Sequence, residues 1–413
     1  MQYKKNNKFY SMKEISKVKA YLKKSLKSIR LERAILKNIH HNFIANLYFS
    51  FQDKDNLYLI LDYYSGGDLR FYLDQNIQFN EKQIKFFVAN VILSLKYLRM
   101  NNILHRDIKP DNLVFDHQGY LNLTDFGISK IVKNNQLIKD VSGTPGYLSP
   151  EIILQNNQTF SSDYFSLGVV IYELIFLQRP FDGKTKQEIA DNIVHKDLDL
   201  TKEQLPNNFM NSPSADDLID FINKILSRKK EKRLGDKDIN QIISHPWLKD
   251  IDWDNMESKM LLKENIPFSP SSGDNFNFLK VNNHINKKDK NYKSYLKLIN
   301  NSTFFSSFYY NYYTKSTKNS EESNDKNNIY DNCPNDRSNS SKINNKLKSN
   351  EKIKKEKDEN NCTSEFILSE YEYDFNEEEE VVFNRFSDNV GRLSDLDDDN
   401  KIKRYSYSPE KNK

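Results

Sequence analysis

The chain has 413 residues, with 62 Lys and Arg against 58 Asp and Glu and a net charge of +4, so bulk charge makes no case for binding nucleic acid or a membrane surface. A mean hydropathy of −0.80 and a hydrophobic fraction of 37% are low for a chain that folds throughout, and beyond about residue 280 periodic apolar segments give way to Asn, Ser, Lys and acidic runs. Both cysteines, Cys333 and Cys362, fall in that polar part. This excludes a disulfide framework or a cysteine metal site in the core and fits an intracellular, cytoplasmic protein.

The first eight residues are too polar for a signal peptide. Phe9 to Lys13 reads as a short strand. From about Val18 to Asn38 apolar residues recur at helical spacing, at Leu22, Leu26, Ile29, Ala34 and Ile35, with Ile39 just beyond. Ala45 to Phe51 and Leu57 to Leu61 flank Asp53-Lys54-Asp55-Asn56, a hairpin pattern. Ser65-Gly66-Gly67 breaks the chain before a mainly helical stretch to about Leu98, and short strands fit Leu113 to Phe115 and Leu121 to Leu123 around a turn at Asp116 to Gly119. After Pro150 the pattern is helical to Trp247. Its longest apolar run, Phe165 to Leu177, contains Ser166, Gly168 and Glu173 and is too short to span a bilayer, so it reads as a buried helix and no transmembrane segment is expected. A small β-rich part thus precedes a larger helical one, an α+β arrangement. Residues 311 to about 362 read as disordered, as do Glu377 to Glu380 and Asp397 to Asp399 beyond them.

Two clusters carry the chemistry: His105-Arg106-Asp107-Ile108-Lys109-Pro110-Asp111-Asn112, and Asp125-Phe126-Gly127. They supply a base candidate, Asp107, a phosphate-facing lysine, Lys109, and two metal-seeking side chains, Asn112 and Asp125, at the spacing phosphoryl transfer uses. Any one triplet could arise by chance, but the ordered set argues for that chemistry.

On these residues, positions 9 to about 250 resemble a eukaryotic protein kinase domain, with details similar to the AGC group of serine/threonine kinases. Phe49-Ser50-Phe51-Gln52-Asp53 and Gly66-Gly67-Asp68-Leu69-Arg70 are most similar to its YANK branch. The resemblance implies a bilobal fold and phosphoryl transfer from ATP with Mg²⁺ to protein Ser or Thr. Asp107 would be the catalytic base, and Lys109 would neutralise the γ-phosphate and favour Ser/Thr over Tyr. Asp125 and Asn112 would hold the metal. Lys13 would sit on the third kinase strand beside the ATP phosphates, paired with Glu32 on the next helix, with Ser11 where alanine is usual. Leu61 would be the gatekeeper and Asp62 to Tyr64 the adenine-binding hinge. Asp68 would meet the ribose, a role compatible with capping a helix.

The same resemblance makes Gly143 to Glu151 the end of an activation segment, with Ser149 in place of alanine as a mild change. Glu151 would be buried against Arg233, and Asp163 would cap the catalytic-loop backbone. Asp140 occupies the position where AGC relatives carry a phosphorylated threonine, with Arg106 and Lys130 as the cations to receive its charge; an ordinary loop aspartate is the alternative. Asp68, Asp111 and Glu173 match positions that bind substrate arginines two and three residues before the acceptor, and Val141, Pro145 and Leu148 would form an apolar pocket after it. Past the domain, Ile266 to Pro270 and Asp274 to Phe278 resemble an AGC C-terminal tail through which an upstream regulator could dock. Phe305-Ser306-Ser307-Phe308 and Phe383-Asn384-Arg385-Phe386-Ser387 are two candidates for its hydrophobic motif.

One part is missing. The family's G-x-G-x-x-G hairpin precedes the lysine strand, yet none of the twelve residues before Lys13 is glycine. The expectation is therefore an N-terminally incomplete small lobe, from a misassigned start or missed exon, from a real and weakly active enzyme, or from a degenerate scaffold. The expected organisation is a kinase domain over 1–250, an AGC-like tail over 251–310 and a disordered tail over 311–413. The expected function is a serine/threonine kinase preferring basic residues before the acceptor, with a catalytically weak kinase-fold scaffold as the alternative.

Overall fold

The computed structural model describes residues 1–132, 137–196, 198–270, 290–301 and 308–311. Strand β1 (Tyr10–Ser16) continues past the expected Lys13 because Ser16 ends it by capping the following helix, its hydroxyl accepting from the Lys19 amide. The helix expected over 18–38 is two helices, α1 (Lys17–Leu22) and α2 (Leu26–Asn38). Lys24 takes a left-handed φ of +53° between them, and the Ser25 amide and hydroxyl both turn back onto the Ala20 carbonyl. The break lets Val18 and Ala20 bury on one side and Leu26, Ile29, Ile35 and Leu36 on another, while Leu22 is left exposed.

Strands β2 (Leu47–Gln52) and β3 (Asn56–Asp62) form the expected hairpin. Asp53 closes its turn by accepting from the amides of Asp55 and Asn56. β1 pairs antiparallel with β3, placing Lys13 opposite Leu59 and Ser11 opposite Leu61. A strand from the far end of the chain, β8 (Tyr310–Asn311), adds to the open edge of β2, so the sheet runs β1-β3-β2-β8.

The larger part is helical. After α3 (Leu69–Asp74), α4 (Glu81–Met100) opens with an Asn80/Gln83 capping box and buries thirteen of its twenty residues. Strand β4 (Ile103–Leu104) leads into the His105–Asn112 turn. Strands β5 (Leu113–Phe115) and β6 (Leu121–Leu123) form a tight hairpin whose turn is held by Asp116, and β7 (Lys130–Ile131) returns to pair with β4. Helix α5 (Pro150–Ile153) precedes α6 (Phe160–Phe176), which is mostly apolar and buried along most of its length, as its composition predicts, and carries Asp163 and Glu173 into the interior. In chain order there follow α7 (Lys186–His195), α8 (Asn207–Met210), α9 (Ala215–Ile225), α10 (Asn240–Ile243) and α11 (Trp253–Glu257), with α9 packed on α6, α7 on α5 and α11 on α4. No described helix is long and apolar enough to cross a membrane.

Two tail segments pack back on this frame. Phe268 joins the rings of Tyr72, Phe79, Phe87 and Phe115. Helix α12 (Lys290–Asn301) lies on α1 and the β2–β3 turn, where buried Lys17 donates to the Asp53 carbonyl and to Asn300. Asp274 to Phe278, Phe305 to Ser307 and Phe383 to Ser387 lie outside the described residues.

The expected Glu151–Arg233 pair is present and almost fully buried, at 2.6 and 2.9 Å. Ser162 donates to Glu151, and Arg233 also donates to the Ser161 and Ser227 carbonyls, so the paired charges are well satisfied. Burial opposes the Glu151 charge, but Arg233 overcomes it and holds the carboxyl below its usual value. Removing one partner strands the other: Glu151→Gln is expected to cost about 3–5 kcal/mol in urea unfolding at neutral pH. A depressed carboxyl contributes stability above its unfolded value and loses it as pH falls. The difference should therefore narrow below about pH 4.3, the ordinary Glu value. A cost under about 1 kcal/mol at pH 7 would contradict this account.

Candidate active site

The short β5–β6 hairpin brings the two chemical clusters together. Asn112 ends the turn before β5 and Asp125 lies two residues beyond β6, and the Thr124 amide donates to the Asn112 carbonyl at 2.9 Å. Asp163, buried at the start of α6, accepts from the amides of His105 (2.9 Å) and Arg106 (2.8 Å), as expected of a backbone cap. These bonds hold Arg106 at φ +74°, and Asp125 follows at φ +61°. Both are conformations that cost a non-glycine residue about 1–3 kcal/mol and persist only where surroundings enforce them.

Asp107 is surrounded by donors. Thr144 Oγ1 donates to its Oδ1 at 2.7 Å, Asn112 Nδ2 donates to its Oδ2 at 2.9 Å, and Lys109 Nζ lies 2.8 Å from the same Oδ2. Lys109 also donates to the Thr144 hydroxyl at 2.7 Å. Thr144 therefore stands with Asp107 and Lys109, a contact that the sequence analysis did not expect although the residue lies in the Gly143 to Glu151 segment. Asn112 spends its amide nitrogen on Asp107, which leaves its Oδ1 as the atom for a cation.

Lys13 bridges two acids, 2.7 Å from Glu32 Oε1 and 2.9 Å from Asp125 Oδ1. Burial disfavours its charge, but Glu32 and Asp125 overcome this and hold the ammonium above its usual pKa. Burial likewise pushes against the Asp125 charge, and Lys13 outweighs it, so that carboxyl stays ionised. Among the described residues no cluster of three His, Cys, Asp or Glu could hold a metal alone. The Asp125 carboxylate with Asn112 Oδ1 is a pair of hard oxygens, which suits Mg²⁺ completing its shell with phosphate and water.

The hinge residues lie at the end of β3. Leu61 is half-buried. The Asp62 carboxylate accepts from Asn46 and the Tyr48 hydroxyl, so its side chain is turned into structure, and the Tyr64 hydroxyl donates to the Ile44 carbonyl. Asp68 caps α3 by accepting from the Phe71 amide at 2.8 Å. Phe308 is buried, with Arg33 of α2 over its ring, one residue from Glu32.

Of the three carboxylates expected to meet substrate arginines, Glu173 and Asp111 are already met by a cation of the chain itself, while Asp68 has no such partner among the described residues. Arg70 donates from Nη1 to Glu173 Oε1 at 3.0 Å and from Nη2 to Oε2 at 3.3 Å, and its Nε lies 3.7 Å from Asp111. The Tyr147 hydroxyl accepts from Arg70 and donates to Glu173. The residues lie 103 apart in sequence, so no local pattern pointed to the pair. Ser149, expected as a mild change from alanine, is less benign than that. Its hydroxyl is buried with no hydrogen-bond partner among the described residues, so Ser149→Ala should raise stability by about 1 kcal/mol in thermal unfolding, and a loss would show a missed partner.

Asp140 lies 2.7 Å from Arg106 Nη2 and 2.8 Å from Lys130 Nζ. Burial works against its charge, but Lys130 and Arg106 together push its pKa down to about 2. Gly143, at φ +129°, passes so close to the Arg106 carbonyl that a side chain would not fit, which lays the segment over the catalytic turn. A depressed carboxyl acts as an anchor above its unfolded value of about 3.9 and is lost only as pH falls towards its folded value. Limited proteolysis of the 138–150 segment should therefore be constant from pH 8 to about pH 5 and rise several-fold in Asp140→Asn. Equal cleavage in both proteins would contradict the anchor.

Residues 1–248 match the family model for the protein kinase domain. The chain is 36% identical to the serine/threonine-protein kinase sgk-1 of Caenorhabditis elegans over 68% of its own length and 59% of that protein's. It is 37% identical to human Sgk1 over 65% and 60%, and 34% identical to a probable serine/threonine-protein kinase of Dictyostelium discoideum over 66% and 58%. It thus spans somewhat over half the length of these relatives.

Proposed function

The chain belongs to the protein kinase family, and we propose that it transfers the γ-phosphoryl group of ATP to serine or threonine hydroxyls of protein substrates, with Mg²⁺. The observation that carries this reading is the continuous network Glu32–Lys13–Asp125 on one side of the cleft and Lys109–Asp107–Thr144–Asn112 on the other. A scaffold has no chemical need for charges placed this way.

Bound ATP·Mg²⁺ supplies the phosphoryl group and neutralises its charge. Asp107 orients the acceptor hydroxyl and takes its proton as the new P–O bond forms and the bond to ADP breaks. Lys109 neutralises the transferring group from beside Asp107. Lys13, held by buried Glu32, would meet the α- and β-phosphates, and Asp125 with Asn112 Oδ1 would hold the cation. The backbone from Asp62 to Tyr64, behind Leu61, receives the adenine, and Asp68 the ribose.

The finer placement is in the AGC group, with the YANK branch supported by its Gly-Gly-Asp-Leu-Arg segment. We assign residues 1–250 to the kinase domain and 251–310 to an AGC-like tail; the extension expected after it lies, beyond Asn311, outside the described residues. The seat of α12 and Phe308 on the small lobe supports regulator docking through the tail. The cysteine-free core favours an intracellular site of action. Asp140 stands in for activation-segment phosphate, offering one charge and two oxygens to Arg106 and Lys130.

The test is phosphate transfer from labelled ATP to a Ser/Thr peptide set by purified protein. Asp107→Asn and Lys13→Met should each lower kcat/KM by about two orders of magnitude or more, and unphosphorylated Asp140→Ala should be slower than wild type. Activity that persists in both of the first two variants would refute transfer by this chain, and equal rates for Asp140→Ala would refute its role.

A further inference from the structure

Arg70 is the cation that the family reading did not use. It projects from α3 into the acidic wall of the cleft, where it fills Glu173 with two parallel hydrogen bonds and shares Asp111 and Asp74 at 3.7 and 3.6 Å. Glu173 is nearly buried, its side chain 8% exposed, while Asp111 is 52% exposed. With Tyr147 also donating to it, Glu173 has both oxygens engaged. Asp68, by contrast, spends one oxygen on its helix cap and has no salt bridge among the described residues.

An extended peptide rises about 3.3 Å per residue and turns successive side chains to opposite faces, so neighbouring positions meet different acids. Asp111 follows Asp107 by four residues and belongs with Glu173 to the subsite nearer the acceptor. Asp68, at the hinge end, belongs to the next one out. A guanidinium arriving at Glu173 must displace another guanidinium already held in the fork geometry that makes such pairs strong. The exchange forms and breaks the same bonds, so arginine there gains little over a neutral residue.

We propose that Arg70 occupies, from within the chain, the place a substrate arginine would take against Glu173. It thereby removes selection for a basic residue two positions before the acceptor while Asp68 preserves it three positions before. The inference rests on the transferase reading and names the determinant of its specificity.

The test uses peptides that differ only by Arg or Ala at these two positions, assayed on the full chain by kcat/KM and separately by fluorescence-anisotropy affinity. Wild type should show an Arg/Ala ratio within about threefold at the nearer position and about tenfold or more at the farther one. In Arg70→Leu, and independently in Arg70→Gln, which keeps a hydrogen bond to Glu173 without the charge, the nearer ratio should rise by about tenfold. Adding Glu173→Gln should abolish that rise. A wild-type ratio above about threefold at the nearer position, or no gain in whichever variant retains the wild-type melting profile, overturns the proposal. An affinity shift of the expected kind with no phosphate transfer by any protein would instead sink the transferase reading and leave the role of Arg70 standing.

Discussion

Asp163 enters the core at the first turn of α6 and spends its two carboxylate oxygens on consecutive amides, those of His105 and Arg106. Burial pushes this carboxyl upward, and the hydrogen bonds donated by the two amides offset that cost only in part. The bonds fix Arg106 in a left-handed conformation, and the direction of the whole turn follows from it. Arg106 points its guanidinium at Asp140, and Asp107 faces the cleft with Asn112 and Lys109 against it. A helix buried for its apolar surface thus sets the geometry of a polar turn nearly sixty residues earlier.

Elsewhere the same economy recurs, with single cations tying together elements far apart in the chain. Lys13 joins β1, α2 and the loop after β6. Arg106 joins the catalytic turn to the segment at Asp140. Arg70 joins α3 to α6 and, through Tyr147, to the activation segment. Exposed ion pairs contribute little because water and side-chain entropy compete with them. Each of these cations takes part in one pair with a nearly buried member: Glu32 for Lys13, Arg106 itself against Asp140, and Glu173 for Arg70. Losing the other partner leaves a charge without solvent to receive it. The fold therefore depends on the same contacts as the chemistry proposed for it.

Much of this was legible in the residues. Asp107, Lys109, Asn112 and Asp125 sit within one turn and one hairpin, so their spacing in sequence nearly equals their spacing in space. The hairpin at Asp53 to Asn56 carried its own turn chemistry. Lys13 and Glu32 needed only a strand followed by a helix, although a single helix was expected where Lys24 in fact divides two. Ser149 is expected from the resemblance to be a mild change, and only the packed structure shows its hydroxyl buried with no hydrogen-bond partner among the described residues.

Local order in the sequence determined most element types and the identities of the groups proposed to meet phosphate, because strand, turn and motif spacing are short-range properties of the chain. The tertiary structure alone decided how charge is shared among them. Glu173 was visible as an acid at an arginine-binding position, but whether it stands open depends on Arg70, 103 residues away. Nothing in periodicity or propensity encodes that distance. It is settled when α3 and α6 pack, and packing sets one nearly buried carboxylate within reach of one guanidinium.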